Sequence, residues 1–157
     1  MQDDATRTAR RQGWMRTLGA ATTTELDTAW RDWHPKPEVQ DVRGPEAGLV
    51  MVRGRIDAGG GRFNLGEATV TRSTVRLHGT GLSGDLMGSS YLLGTDLEHA
   101  RLAAVFDGLL TDATLHDRVQ TEVVAPLARR QDARDEVRHQ EARSTLVDFF
   151  TVSREHA

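Results

Sequence analysis

The chain has no cysteine among its 157 residues. Disulfides, thiolate zinc sites, a cysteine nucleophile and the thiolate ligands of an iron–sulfur cluster are therefore excluded. Lys36 is its sole lysine, and with no lysine closing a glycine-rich turn there is no P-loop for phosphate. Apolar runs are short, and none approaches the ~18 residues a membrane-spanning helix needs. The start is acidic at Asp3 and Asp4, whereas a secretory signal opens basic and continues apolar. Cytoplasmic residence is the expectation, with no membrane contact. Neither sign of charge dominates: 20 Lys and Arg stand against 23 Asp and Glu, a net charge of −3. Such a balance gives no broad attraction to nucleic acid. The acyl-transfer serine signature G-x-S-x-G is absent, and no histidine has a second one at the spacing of a local zinc pair.

What is present is ordinary globular material, 38% hydrophobic and 27% charged. A chain of this length buries about two-thirds of its unfolded surface, so one domain over residues 1–157 is expected. Thr6 to Gly19 reads as a helix carrying Trp14, Met15 and Leu18. Thr22-Thr23-Thr24-Glu25 fits a capping box, followed by Leu26, Ala29, Trp30 and Trp33 on one stripe. His34-Pro35-Lys36-Pro37 stops that helix, since proline lacks the donor and restricts its predecessor. Strands are predicted at Glu38 to Arg43 and Leu49 to Asp57, joined by a turn at Gly44-Pro45-Glu46-Ala47-Gly48. Gly59 to Gly61 reverse the chain into a long strand from Arg62 to His78, with Gly66 marking a bulge or bend. A short strand follows at Ser89 to Leu93. Thr95-Asp96-Leu97-Glu98 reads as a second capping box, opening a helix whose apolar face is Leu102, Val105, Phe106, Leu109 and Leu110. Ala113 to Val124 reads equally as helix or strand. A charged helix begins near Pro126 and runs to about Arg143, with Ala133 and Val137 for packing. Asp135–Arg138 and Arg138–Glu141 lend it weak support, and an extended or irregular tail ends the chain. Short turns between sequential strands favour an antiparallel meander. The fold class is thus α+β: an antiparallel β-meander with N-terminal helices and a packed helix pair toward the C-terminus.

Gly79-Thr80-Gly81-Leu82-Ser83-Gly84 has the spacing of a dinucleotide-binding turn, but that mechanism needs a helix N-terminus after it. Asp85 to Gly94 is β-like and glycine-containing, so the segment reads as a hairpin loop. Alternation puts Arg72, Thr74, Arg76 and His78 on one face of a strand, with Val75 and Leu77 on the other; Arg53 and Arg55 likewise share a face. Guanidinium groups hold phosphate bidentately, so such a face suits a polyphosphate or an acidic partner. A solvated face laced with salt bridges is the plain alternative. His99, in the first turns of its helix, reads either as a general acid/base or partner contact, or as a surface or capping histidine. In the tail, adjacent Phe149 and Phe150 point to opposite sides when extended, which leaves one ring for the core and one for a partner subunit.

The ordered motifs resemble the PhnG family, the small subunit of the carbon–phosphorus lyase core complex. Arg11-Gln12-Gly13-Trp14-Met15 is similar to an opening R-x-x-W-M. Glu46-Ala47-Gly48-Leu49-Val50 is similar to a family strand. Gly66-Glu67-Ala68-Thr69-Val70-Thr71-Arg72 with Val75-Arg76-Leu77 resembles its most specific block. Gly94, Asp96, His99, Ala100 and Asp107 fit its helix pattern. Ala125-Pro126-Leu127, and Asp148-Phe149-Phe150-Thr151 with Arg154, resemble the closing motifs. The likeness runs from about Arg11 to Arg154; the loop Gly79 to Asp85 and the stretch Arg129 to Arg143 fit it loosely.

The resemblance implies an accessory, non-catalytic role in phosphonate breakdown. In that step an alkylphosphonate displaces adenine from ATP, giving ribose 1-alkylphosphonate 5-triphosphate. It implies a hetero-oligomer with PhnI, which carries the nucleosidase-like chemistry, and with PhnH and PhnJ. It implies that this chain binds no cofactor or metal, and that ATP, with or without magnesium, is a substrate of the complex. The lack of cysteine agrees, because the radical iron–sulfur chemistry belongs to PhnJ. Arg72, Arg76, His99, Phe149, Phe150 and Arg154 are the candidate contacts to substrate or partner. The alternative role is direct: Arg72 and Arg76 clamp the ATP triphosphate, with His99 as a proton carrier.

Overall fold

In a computed structural model, residues 2–56 and 59–144 are described. The first helix, α1, spans Gln2–Ala20 and so begins earlier than Thr6. The second, α2, spans Thr23–Asp32, and its capping box forms as the sequence predicts: Thr22 accepts from the backbone of Glu25 while Glu25 accepts from that of Thr22. Glu25 also takes an ion pair from Arg134 at 2.8 Å, which ties α2 to the C-terminal helix. Burial works against the Glu25 charge, yet the hydrogen bonds from Arg134 and Thr22 prevail and hold its carboxyl below the ordinary range.

Three antiparallel strands follow in the order β1-β2-β3, namely β1 Glu38–Arg55, β2 Arg62–His78 and β3 Leu86–Leu93. The meander is as expected, but the turn at Gly44 to Gly48 is not a turn. Two bulges accommodate this segment within one continuous strand: Val42 is extra opposite Thr74–Val75, and Gly44-Pro45 oppose Ser73 alone. Glycine and proline signal a reversal in sequence, yet proline also fits an edge strand at a bulge, where no ladder hydrogen bond needs its N–H. A third irregularity places Leu65 as the extra residue beside Gly66, where a bend is predicted.

Helix α3 spans Leu97–Thr111, and its cap is Asp96, which accepts from the His99 N–H, rather than Thr95. This helix is covered on every side, with Ala100 and each residue from Leu102 to Leu110 buried. It lies between the sheet and the helices α1 and α2, so apolar residues around its whole circumference find cover. Its approach to β3 is close. A Cβ on Gly88 would stand 2.0 Å from the Ala104 carbonyl oxygen and 2.5 Å from the Gly108 nitrogen, so a side chain there collides with backbone.

The ambiguous stretch after α3 is helical. A short α4, His116–Val119, widens into a π-turn over Gln120–Val124 and continues as α5, Ala125–Ser144. Pro126 has no N–H for the preceding turn, which accounts for a widened turn at this place. Ala133 and Val137 are exposed, contrary to expectation. The helix docks instead through buried Leu127, through Gln131 donating to the Thr17 carbonyl at 2.7 Å, and through the Arg134–Glu25 pair. The predicted Asp135–Arg138 contact forms at 3.2 Å. All layers meet in one core around Leu18, Leu26, Leu77, Leu102 and Phe106.

Candidate interaction surface

Strand alternation sorts β2 as predicted. Thr71, Ser73, Val75 and Leu77 are buried toward α3, and Arg72, Thr74, Arg76 and His78 face outward. The outer arginines are not bare. Arg72 Nε donates to Glu46 Oε1 at 2.7 Å, and Arg43 Nε reaches the same oxygen at 2.5 Å. These two guanidinium groups hold the Glu46 carboxyl below its usual range. Arg76 is ion-paired with Asp85 from the loop before β3, and His78 Nδ1 lies 3.6 Å from Glu38. Between the charges stand Met87 and Tyr91, cross-strand neighbours of Arg76 and Arg72, both exposed. The face is ion-paired with apolar insertions, closer to the salt-bridge-laced reading than to an empty phosphate cradle.

His99 lies apart from this face. Its Nε2 sits 2.9 Å from the Leu18 carbonyl oxygen, which joins the start of α3 to the end of α1. Asp96, its cap partner, also accepts from Thr23 Oγ1 at 2.5 Å. Those donors, the His99 N–H first, keep the Asp96 carboxyl lowered. His99 therefore joins α3 to α1, and its cap partner Asp96 adds α2. Phe149, Phe150 and Arg154 lie outside the described residues, so the structure places only Arg72 and Arg76 on a shared surface.

Two carboxylates that the candidate list omits form the strongest polar centres. Asp107 is buried in the middle of α3 and accepts from four groups. These are Arg11 Nε at 3.0 Å and Nη2 at 2.8 Å, Trp14 Nε1 at 2.9 Å and the Ser89 N–H at 3.0 Å. Arg11 also donates to Ser89 Oγ at 2.8 Å, so one ion pair fastens α1 to α3 and to the outer edge of β3. The bond to Asp107 raises the Arg11 pKa further above neutrality. The signal was legible: an aspartate inside Ala-Val-Phe-Asp-Gly-Leu-Leu needs partners, and Arg11 and Trp14 share a helix face at i, i+3. Asp112 is likewise buried. Burial tends to raise its pKa, but hydrogen bonds from the side chains and backbones of Thr114 and Ser83 overcome that and lower it to about 2. Ser83 belongs to the Gly79–Gly84 loop, which leads into a strand as anticipated, so its glycines serve a hairpin. Beside these groups a cleft of about 620 Å³ opens along α1, lined by Arg7, Arg10, Arg11, Trp14 and His116 among others.

The remaining feature is apolar. Strand β3 ends at Leu93, opposite Val70, so beyond that point β1 and β2 continue as a two-stranded arm, Leu49–Arg55 with Arg62–Thr69. On it Leu49 is 63% exposed, Leu65 62% and Ile56, at its end, 87%. Met51 and Phe63 are also exposed. Among the described residues, no cluster of three or more His, Cys, Asp or Glu is placed to hold a metal, and no helix is long and apolar enough to cross a membrane.

Fold and surface together define a small α+β protein with a closed polar framework and an apolar β-arm held in solvent. Residues 9–155 match the family described as phosphonate metabolism protein PhnG, and the chain belongs to that family. It is 51% identical over 152 residues to a protein of Rhizobium meliloti (strain 1021), covering 97% of this chain and 93% of that one. That relative is named alpha-D-ribose 1-methylphosphonate 5-triphosphate synthase subunit PhnG. The motifs from Arg11 onward that resemble the family are thus the motifs of a member, and Asp107 joins the first of them to the helix pattern.

Proposed function

We propose that the chain is an accessory, non-catalytic subunit of the carbon–phosphorus lyase core complex, working in the cytoplasm with PhnI, PhnH and PhnJ. Its role is to support displacement of adenine from ATP by an alkylphosphonate, giving ribose 1-alkylphosphonate 5-triphosphate. The observation that carries this reading is 51% identity, across 97% of the chain, to a protein named as a subunit of such a synthase. The polar framework is consistent with it. Asp107, Asp112 and His99 are engaged in joining helices, strands and loops of the chain itself. A subunit of this kind acts by holding a partner's site in productive geometry, where ~1 Å of displacement costs about a hundredfold in rate.

The test is reconstitution. PhnI should copurify with the tagged chain, and its product from ATP and methylphosphonate should move from hydrolysed nucleotide to the ribosyl phosphonate. Equal ribosyl transfer by PhnI without the chain overturns the reading. The alternative, in which Arg72 and Arg76 grip the triphosphate, requires both to leave Glu46 and Asp85. Arg72→Ala decides between the two: a raised KM for ATP with assembly intact supports direct contact, and unchanged kinetics support the accessory role.

A further inference from the structure

We propose that the distal arm of the β1–β2 hairpin is the docking element. It takes an extended, apolar segment of a companion subunit along the free edge of β1 at Gly48 to Val52, with carboxylates of that subunit meeting the arginines near the arm's end. This rests on the accessory-subunit reading and adds the surface through which it operates.

Three observations carry it. The first is the state of the edge. Sheet edges in solvent are ordinarily blunted by bulges, charges and proline. The proximal half of β1 has all of these: bulges at Val42 and at Gly44-Pro45, with Asp41, Arg43 and Glu46. From Gly48 to Val52 the same strand pairs with β2 without interruption and carries only apolar side chains, while its other edge, among the described residues, has no strand beside it. The protection ends where the arm begins.

The second is coverage. An isolated pair of strands is marginal in water and gains stability from a third strand or a packed face. Leu49 and Met51 continue the face of the sheet that α3 covers further along, so on β1 the arm presents apolar side chains with their cover missing, beside Thr69 and Glu67 of β2. An added strand on β1 supplies the third strand, and its own subunit supplies the cover, which is the β-augmentation mode of recognition.

The third is charge, which selects the occupant. Arg53, Arg55 and Arg62 gather near the arm's end, Arg55 directly opposite Arg62, with Glu67 further back, on a chain whose net charge is −3. Antiparallel pairing of two copies about Val50 would set Arg53 and Arg55 beside Glu46, which Arg43 and Arg72 already neutralise, whereas a partner of acidic border meets them with carboxylates of its own.

The experiment compares the wild-type chain with L49D/M51D, two exposed positions whose change leaves the packed core untouched. V137D on exposed α5 is the surface control. Each is coexpressed with PhnI, PhnH and PhnJ and recovered by a tag on the chain, and affinity is then measured by titration. The double variant should keep the wild-type circular dichroism, with a melting temperature lowered only slightly because M51D faces Glu67 across the strands, and bind its companions at least about tenfold more weakly. V137D should bind as wild type, and added salt should weaken the wild-type complex. If L49D/M51D loses its fold, the milder L49S/M51S takes its place under the same criterion. Wild-type affinity in the arm variant overturns the docking proposal while leaving the accessory role standing. A wild-type chain that recovers no companion at all overturns the accessory role itself. A wild-type chain that forms a homodimer abolished by L49D/M51D also overturns the docking proposal, because the arm's occupant is then a second copy.

Discussion

Leu77 and Leu49 are the same residue type, on neighbouring strands and on the same face of one sheet. Leu77 is wholly buried and Leu49 is 63% exposed. The difference lies in what stands over them. Helix α3 has 15 residues, about 22 Å at ~1.5 Å each. Strand β2 has 17 residues, about 56 Å at ~3.3 Å each. One such helix cannot cover such a strand from end to end. The proximal half of the hairpin becomes the floor of a core, and the distal half becomes an arm. The same alternation of residues thus gives a folding element at one end and an interaction surface at the other.

The comparison breaks most severely at the proximal end, through Asp107. Asp107→Ala removes the acceptor shared by Arg11, Trp14 and Ser89 and leaves the Trp14 N–H and the Arg11 charge without it. Arg11 is half-exposed and water replaces part of its pairing. The charge-assisted bonds from the Trp14 and Ser89 N–H groups, at ~1.5–3 kcal/mol each, nonetheless make a loss of about 3–5 kcal/mol. Urea denaturation followed by tryptophan fluorescence should show this loss, together with a changed Trp14 environment. A loss below ~1 kcal/mol would mean that the proximal end does not depend on the junction of α1, α3 and β3.

Leu77→Ala comes next. Its side chain is fully enclosed and within contact reach of Gly108, so the substitution leaves a cavity and should cost about 2–5 kcal/mol in the same measurement. Asp112 gives a smaller, pH-dependent effect. Its pKa falls from 3.8 to about 2, and a folded-state pKa below the unfolded one stabilises the fold above the unfolded value. The contribution is about 2 kcal/mol at neutral pH. It should be fully present above pH ~4 and fade as the pH falls toward ~2. Stability curves of wild type and Asp112→Asn should therefore converge in that window; parallel curves would show that Ser83 and Thr114 do not depend on the charge.

Much of this contrast was legible in the sequence. The alternation from Arg72 to His78 fixed which side chains of β2 face outward, and the Thr22–Glu25 capping box fixed the start of α2. Gly44-Pro45 misled because a bulge and a turn use the same residues, and only cross-strand pairing with Ser73 tells them apart. The stretch around Val119 to Val124 was ambiguous because a π-turn obeys neither the strand nor the helix period. Of the site, the arginines' face was readable, but their partners Glu46 and Asp85 were not, since strand register decides them. His99 was noticed for its position in the helix, yet its partner, the Leu18 carbonyl, is set by how α1 crosses α3, which no local pattern encodes. The arm follows from lengths alone, once α3 is recognised as the helix that covers the sheet.

The smallest expected effect is the most discriminating. Leu49→Ala removes apolar atoms that are mostly in water already, so the isolated chain should change by no more than ~0.5 kcal/mol. Set beside Leu77→Ala, the ratio measures how unlike the two ends of the hairpin are. A loss above ~1 kcal/mol in the isolated chain would show that something within the chain covers Leu49, and the arm would then be part of the core. A neutral result sharpens the contrast: the apolar character of Leu49 then contributes little to folding, and the effect of its removal is to be sought in assembly with the companion subunits.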